Sequence, residues 1–155
     1  MTQPSAPSSF DAIDKLVATS GVVLFAACFL PWFRYSVDGA GILRDASSTR
    51  NGWGVPFLWG GLPALIGLAL AAAIVATGSG RLGRPDLPIT WGELQLGASG
   101  AAATLVVLKA LTGERSGVFE VSRSFGLYVS AAAALALAAG GLARFQHERT
   151  ASGPS

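Results

Sequence analysis

Residues 51–80 read NGWGVPFLWGGLPALIGLALAAAIVATGSG, and no charged side chain occurs among these thirty residues. An α-helix needs about 20 apolar residues to cross the hydrocarbon core of a bilayer. The stretch is longer and more apolar than the core helix of a small soluble domain requires. It therefore predicts a membrane-spanning helix. Pro63 is expected to kink this helix, because proline leaves the carbonyl of Trp59 without a hydrogen bond.

Three other apolar segments complete a four-helix plan. Of the 155 residues, 51% are hydrophobic and 13% are charged, whereas about 25% are charged in an average soluble domain. The pattern predicts an all-α membrane fold, an antiparallel bundle of four transmembrane helices within residues 10–145. The polar tails, residues 1–9 and 146–155, are predicted to be disordered. The predicted spans are residues 13–35, 54–78, 91–111 and 124–145.

Small residues recur at helical spacing in the predicted spans. In lipid no hydrophobic force drives helices together, so small side chains matter because they let backbones approach closely. In the second span, Gly60 with Ala64 and Gly67 with Ala71 are each four residues apart. The residues predicted to pack helices are Gly60, Ala64, Gly67, Ala71, Gly97, Ala132, Ala136 and Gly140.

The first and third connections between the spans carry weak strand signals. The first, residues 36–52, has short runs on either side of Asp38-Gly39, a dipeptide common in tight turns. The third, residues 112–123, alternates apolar and polar side chains at residues 118–122. Both connections lie at the same end of an antiparallel bundle. They are therefore expected to pair in a small extracytoplasmic β-hairpin or sheet.

Aromatic and basic residues indicate the membrane boundaries and the orientation. Trp32, Phe33 and Tyr35 follow the first span and are expected to form an interfacial aromatic belt. Basic residues are almost equally divided between the two sides, so other features decide the orientation. The longest polar connection and most tryptophans lie on one side, and no clean cleavage site follows the first span. We expect a multi-pass plasma-membrane protein with both termini in the cytoplasm.

The central parts of the predicted spans contain no Asp, Glu, His, Lys or Arg. Proton pumps, charge-coupled transporters and intramembrane metalloproteases need such groups at depth. The single cysteine, Cys28, and the single histidine, His147, predict neither a disulfide nor a metal site. The sequence thus predicts no catalytic residue, no cofactor and no metal, and we expect no enzymatic activity. Its basic residues are scattered, which predicts no nucleic-acid partner.

The predicted connection after the first span supplies a candidate partner or ligand face. It consists of charged residues followed by two tryptophans. The simpler interpretation is a solvated loop with local ion pairs, the tryptophans anchoring the chain at the head-group level. The candidate residues of this face are Asp38, Arg44, Asp45, Arg50, Trp53 and Trp59.

Three short motifs resemble a group of small uncharacterised four-helix membrane proteins of actinobacteria. They are FLPWF at 29–33, Asn-Gly-Trp at 51–53 and SFGLY at 124–128. In that group a Leu-Pro-Trp ends the first helix and a Gly-Trp follows a short external loop. The resemblance implies a plasma-membrane location and a four-helix fold, and it supplies no activity or catalytic residues.

The sequence favours a non-enzymatic accessory or scaffold protein, whose partners are the lipid bilayer and another membrane protein or a second copy. The smooth Gly/Ala helix faces and the lack of ionisable groups at depth motivate this hypothesis. Two alternatives stay open. A transporter or channel subunit would need a polar seam from Thr19, Ser20, Ser99, Thr104 and Ser130. A protein that handles lipids or cell-envelope precursors would need a polar cleft from Asp38, Arg44, Asp45, Glu114 and Glu120.

Overall fold

The computed structural model describes residues 11–36, 47–81, 89–114 and 120–151. The described chain is mostly helical, with a small antiparallel sheet at one end. Its elements in chain order are α1 (Ala12–Ala27), β1 (Pro31–Ser36), β2 (Ser47–Asn51), α2 (Gly61–Gly78), α3 (Trp91–Thr112), β3 (Glu120–Arg123) and α4 (Phe125–Ala151).

The four helices pack as antiparallel neighbours. The principal contacts join α1 to α2, α1 to α4, and α3 to α4, with a smaller contact between α2 and α3. One end of the bundle carries the start of α1 and the end of α4, and we call it the terminal face. The opposite end carries the three strands, and we call it the sheet face. Helices α2, α3 and α4 are each long and apolar enough to cross a membrane.

The first predicted span ends earlier than expected, and this is a correction. Helix α1 stops at Ala27, and residues that were assigned to its last turns form β1 instead. Pro31 explains the change, because it lacks an N–H and disfavours helical geometry at the residue before it. The regular helix therefore ends at Ala27, a tighter turn follows at residues 28–30, and the chain then continues as strand β1.

The sheet confirms that strands form at this end, but its centre is β1. The strand order is β2-β1-β3, and both pairings are antiparallel. Tyr35 lies opposite Ser48 on one side and opposite Val121 on the other. The strands from the first and third connections thus pair with β1 rather than with each other. Asp38-Gly39 lies outside the described residues.

Two further bounds differ from the sequence prediction. Helix α2 begins at Gly61, after a series of turns, so Pro63 falls in its first turn rather than in the interior of the helix. Proline is tolerated there because the first N–H groups of a helix have no intrahelical partner. Helix α4 continues to Ala151, so residues 146–151 are helical rather than a disordered tail. Residues 1–9 and 152–155 lie outside the described residues.

Two buried clusters form the core. The first fills the middle and terminal half of the bundle with side chains such as Val17, Leu24, Val106 and Leu137. The second lies under the sheet and contains Trp32 and Phe33, both fully buried. The Trp32 indole N–H donates to the Ala27 carbonyl at 3.1 Å. Trp32 and Phe33 therefore fasten the sheet to the bundle and are not interfacial belt residues.

Some of the predicted packing residues lie at helix contacts. Gly67 and Ala71 of α2 lie against Gly21 of α1, and a Cβ on Gly67 would lie 3.2 Å from the Gly21 Cα. Ala64 is fully buried. A Cβ on Gly140 of α4 would clash with the side chain of Val17.

The other four predicted packing residues are placed differently from the prediction. Gly97 faces open space, and Ala132 is exposed, because the buried stripes of α3 and α4 follow other positions. Ala136 is half-buried at the edge of its stripe. Gly60 precedes α2 and packs against Gly52 in the turns under the sheet, so it does not join two helices.

Candidate functional site

Exposed aromatic side chains lie near the sheet-face ends of α1, α2 and α4, and we call them the exposed aromatic ring. Phe29, Phe57, Phe125 and Tyr128 are 58–69% exposed, although they are large and mostly apolar. Tyrosine and tryptophan are typical of the membrane–water boundary, and one of these four residues is a tyrosine. Phe125 and Phe145 are twenty residues apart on α4, about 30 Å at helical rise, which equals the thickness of a bilayer's hydrocarbon core. This ring takes the place of the belt expected from the residues of β1.

A charged and aromatic cluster lies outside this ring, on the sheet face. The Arg50 guanidinium binds Glu114 Oε1 at 3.1 Å and lies 5.4 Å from the centre of the Tyr35 ring. The Tyr35 hydroxyl and Glu114 Oε2 are buried, and neither has a hydrogen-bond partner among the described residues. We call these three residues the sheet-face cluster. Its charged pair joins β2 to the chain that leaves α3.

The surroundings of Tyr35 in the cluster raise its pKa. Burial raises the pKa of the Tyr35 hydroxyl to about 12, the neighbouring Glu114 carboxylate adds to the increase, and Arg50 opposes it. Desolvation and a nearby negative charge both disfavour a phenolate. Tyr35 therefore stays protonated at neutral pH and can donate a hydrogen bond, but it does not act as a base.

A cavity of about 380 Å³ lies beside the cluster. Glu114, Arg123 and Tyr128 line it together with Phe33. Arg123 donates to the Leu111 carbonyl at 3.0 Å, so part of its hydrogen-bonding capacity serves the end of α3. Lys109 likewise donates to the Gly113 carbonyl at 3.0 Å and lies 5.2 Å from the Phe33 ring centre. These contacts tie both side chains to the end of α3.

The predicted partner face is only partly described. Asp38, Arg44 and Asp45 lie outside the described residues. Arg50 belongs to the sheet-face cluster, where it pairs with Glu114. The sequence analysis named Glu114 only for the polar cleft of a lipid-handling protein. Glu120, from the same hypothesis, lies in β3.

The two tryptophans of that predicted face pack against the bundle. The Trp53 ring lies 5.8 Å from the ring centres of both Phe25 and Phe29, and its indole nitrogen is buried without a partner among the described residues. Trp59 is half-buried against the core cluster under the sheet. Both side chains therefore stabilise the junction between the sheet and the helices.

A second charged cluster lies at the terminal face. Arg144 of α4 is only 8% exposed. Its guanidinium lies 2.9 Å from Asp11, 3.7 Å from Asp14 and 3.5 Å from Glu148. Glu148 also accepts a hydrogen bond from the Gly92 N–H at 2.8 Å. This network, the Arg144 cluster, joins α1, α3 and α4.

Gln95 is the polar residue that sequence reasoning missed. It is fully buried on α3, and neither its amide nitrogen nor its amide oxygen has a partner among the described residues. Its backbone carbonyl faces Gly141 of α4. Its side chain is neither ionisable nor a hydroxyl, the two kinds of group from which the predicted sites were drawn. The available signal was one glutamine, four residues after Trp91, in an otherwise apolar span.

The hydroxyl groups predicted to form a polar seam are dispersed. Ser130 and Ser99 are buried and donate to carbonyls of their own helices, those of Gly126 and Leu96. Thr104 also donates to its own helix, at Gly100, and is exposed. Thr19 is exposed and Ser20 is buried.

No group of His, Cys, Asp or Glu suited to a metal ion occurs within the described ranges. Comparison with protein-family models, curated proteins and solved structures finds no match to this chain. The functional argument therefore depends on the geometry of the chain itself.

Proposed function

We propose that this chain is a four-span, non-enzymatic accessory or scaffold protein of the plasma membrane. It binds another membrane protein, or a second copy of itself, through the sheet face. The observation that carries the proposal is the sheet-face cluster, an Arg50–Glu114 ion pair stacked on Tyr35 directly outside the exposed aromatic ring. Arginine and aromatic side chains are the residues that most often dominate protein interfaces.

The length of α1 supports a fourth span. Its sixteen residues cover about 24 Å at helical rise. Three tighter hydrogen bonds, ending with Leu30 N–H to the Ala27 carbonyl at 3.1 Å, continue the helical turn beyond Ala27. With them the helical path reaches about 30 Å, the thickness of the hydrocarbon core. Antiparallel contacts with α2 and α4 place α1 beside two helices able to cross the membrane.

The proposed orientation has both termini in the cytoplasm and the sheet face outside. Four spans return the chain to the side on which it began. The longest polar connection and the sheet then lie on the extracytoplasmic side. A transport function receives less support than binding, because three of the five hydroxyls needed for a polar seam bond to carbonyls of their own helices and Thr19 is exposed.

The test is to purify the tagged protein from its native membrane in a gentle detergent and to measure the native mass of the complex. Arg50→Ala is compared with Arg149→Ala, which removes an exposed arginine at the opposite end of the bundle. We expect a stoichiometric partner or a defined homo-oligomer that Arg50→Ala weakens and Arg149→Ala leaves intact. A monomer from the unmodified chain, or equal loss with both variants, would contradict the proposal.

A further inference from the structure

An apolar groove of about 630 Å³ runs along the outer surface between α1 and α2. Val22 and Val23 form one wall, Leu68 and Ala72 form the other, and Ser79 and Arg81 lie at its terminal-face end. The groove exists because alanines of α2 leave space beside the close Gly21–Gly67 contact. The apolar walls suit the acyl chain of a lipid, and the polar end suits its head group.

The length of the groove matches one leaflet of a bilayer. From Leu68 to Ser79 the helix rises about 16 Å, close to half of the roughly 30 Å hydrocarbon core. A transmembrane helix from a partner would require a surface that continues through the whole core. An acyl chain from the leaflet at the terminal face requires a groove through only that half of the hydrocarbon core.

The backbone at the end of α2 holds Arg81 beside the groove. Gly80 adopts a left-handed conformation with φ of 69°. The Gly80 N–H donates to the Thr77 carbonyl at 3.2 Å, and the Arg81 N–H donates to the Ala76 carbonyl at 3.1 Å. These two bonds form a Schellman motif, which ends the helix and turns the chain back. The position of Arg81 is therefore fixed by backbone hydrogen bonds.

Lys15 adds a second positive charge at this end. It precedes Thr19, a groove residue, by one helical turn and thus lies on the same face of α1. Lys15 and Arg81 are both exposed, and neither forms an ion pair with another described residue. Long basic side chains reach the head-group level while their stems stay in the apolar region.

The acidic residues near the start of α1 are held on its other side. Asp11 and Asp14 both contact Arg144 of α4, away from α2. The Arg144 cluster, with one cation and three carboxylates, therefore keeps its negative charge on the α4 side of α1. The exposed charges next to the groove end are those of Lys15 and Arg81. This separation of charge favours a negatively charged group at the end of the groove.

We propose that the groove binds one acyl chain of an anionic phospholipid from the leaflet at the terminal face, with the lipid phosphate between Arg81 and Lys15. The groove supplies apolar contact with the chain, and the two cations select for a negatively charged head group. This site lies at the opposite end from the sheet-face cluster and does not depend on the proposed accessory function.

The test is a titration of the purified full chain in detergent with phosphatidylglycerol or phosphatidylcholine, with bound lipid counted by native mass spectrometry. We expect one tightly bound phosphatidylglycerol, and weaker binding of the zwitterionic lipid. The double variant K15Q/R81Q should weaken phosphatidylglycerol binding roughly 30-fold, since each basic residue near an anionic surface contributes about a five- to sixfold step. Soluble glycerol phosphate should not compete, because it has no acyl chain.

Two matched controls separate a specific site from general attraction. Arg149→Gln removes one positive charge from the terminal-face end of α4 and should leave binding unchanged. Ala72→Phe fills the groove and should reduce binding, whereas Ala139→Phe adds the same ring to an exposed position of α4 and should not. Equal binding of phosphatidylcholine, or competition by glycerol phosphate, would overturn the proposal. So would full binding by K15Q/R81Q or Ala72→Phe, or a loss of binding by Arg149→Gln as large as that of the double variant.

Discussion

Gln95 places a complete amide group in the core without a partner among the described residues. An unpaired buried polar group costs about 1–3 kcal/mol. We therefore expect Gln95→Met, which keeps the shape of the side chain, to raise the free energy of unfolding by about that amount. Thermal unfolding of the purified protein in detergent measures the change. Gln146→Met, at an exposed position of α4, is the control and should have little effect. Destabilisation by Gln95→Met would show that the amide has a partner.

Tyr35 gives a prediction about pH. Its pKa is raised from 10.0 to about 12 in the folded protein. Since the folded pKa exceeds the unfolded value, the contribution of Tyr35 to stability is complete below pH 10.0 and decreases as the pH rises towards 12. Tyr128→Phe leaves Tyr35 as the sole tyrosine. Ultraviolet titration of tyrosinate in this variant should show a midpoint near 12, and Glu114→Gln should lower it. An ordinary midpoint would contradict the described burial.

The ion pairs of Arg144 could be predicted only in part from the sequence. Composition predicted that ionisable groups avoid the centres of the spans, and Arg144 indeed lies near the end of α4. Its three carboxylate neighbours come from α1 and from the next turn of α4. No spacing in the sequence indicates which helices are adjacent, so the pairing of Asp11 with Arg144 could not be predicted.

Among the elements, α1 and α2 depend on a close approach at Gly21. A Cβ at this position would overlap the Gly67 carbonyl, so Gly21→Ala must push the helices apart. We expect a loss of about 1–3 kcal/mol, as for other overpacked sites. Gly97→Ala is the matched control, because Gly97 faces open space, and it should gain up to about 1 kcal/mol from helix propensity. Reversed effects in an unfolding assay would contradict this helix arrangement.

The contact between α1 and α4 depends on Arg144. Arg144→Met would leave Asp11, Asp14 and Glu148 partly buried without their shared cation. Removing one partner of a buried ion pair costs about 3–5 kcal/mol; because these carboxylates are 22–44% exposed, we expect a loss near the lower end. Arg149→Met, which removes an exposed cation, should change stability by less than about 0.5 kcal/mol. Equal losses in an unfolding assay would contradict a structural role for the cluster.

The elements themselves were predictable to different extents. Apolar runs identified α2, α3 and α4 because a bilayer demands long apolar helices. Helix α1 merged with β1 in the prediction, since Trp32 and Phe33 continue its apolar run and are as suitable for a buried strand as for a membrane boundary. Pro31 was the local signal for the break. The partners of β1 could not be read from pattern, because sheet register depends on how the helices align the strands.

At the scale of the whole molecule, a bundle of four helices carries a small sheet at one end and a charged terminal face at the other, and three of its helices are long and apolar enough to cross a membrane. Hydropathy predicted the helices, whereas the sheet-face cluster, the Arg144 cluster and the groove between α1 and α2 arise only from tertiary packing. The crossing of α1 is the central claim, because it decides whether the sheet face and the start of α1 lie on opposite sides of the membrane.

Cysteine labelling of intact cells with a membrane-impermeant reagent tests that claim most directly. Ala12→Cys, Ser48→Cys and Ser79→Cys each place a thiol at an exposed position, while the native Cys28 is buried. The account predicts labelling of Ser48→Cys in intact cells, and labelling of Ala12→Cys and Ser79→Cys only after permeabilisation. Reaction of Ala12→Cys together with Ser48→Cys in intact cells would show that α1 does not cross, and would contradict the account.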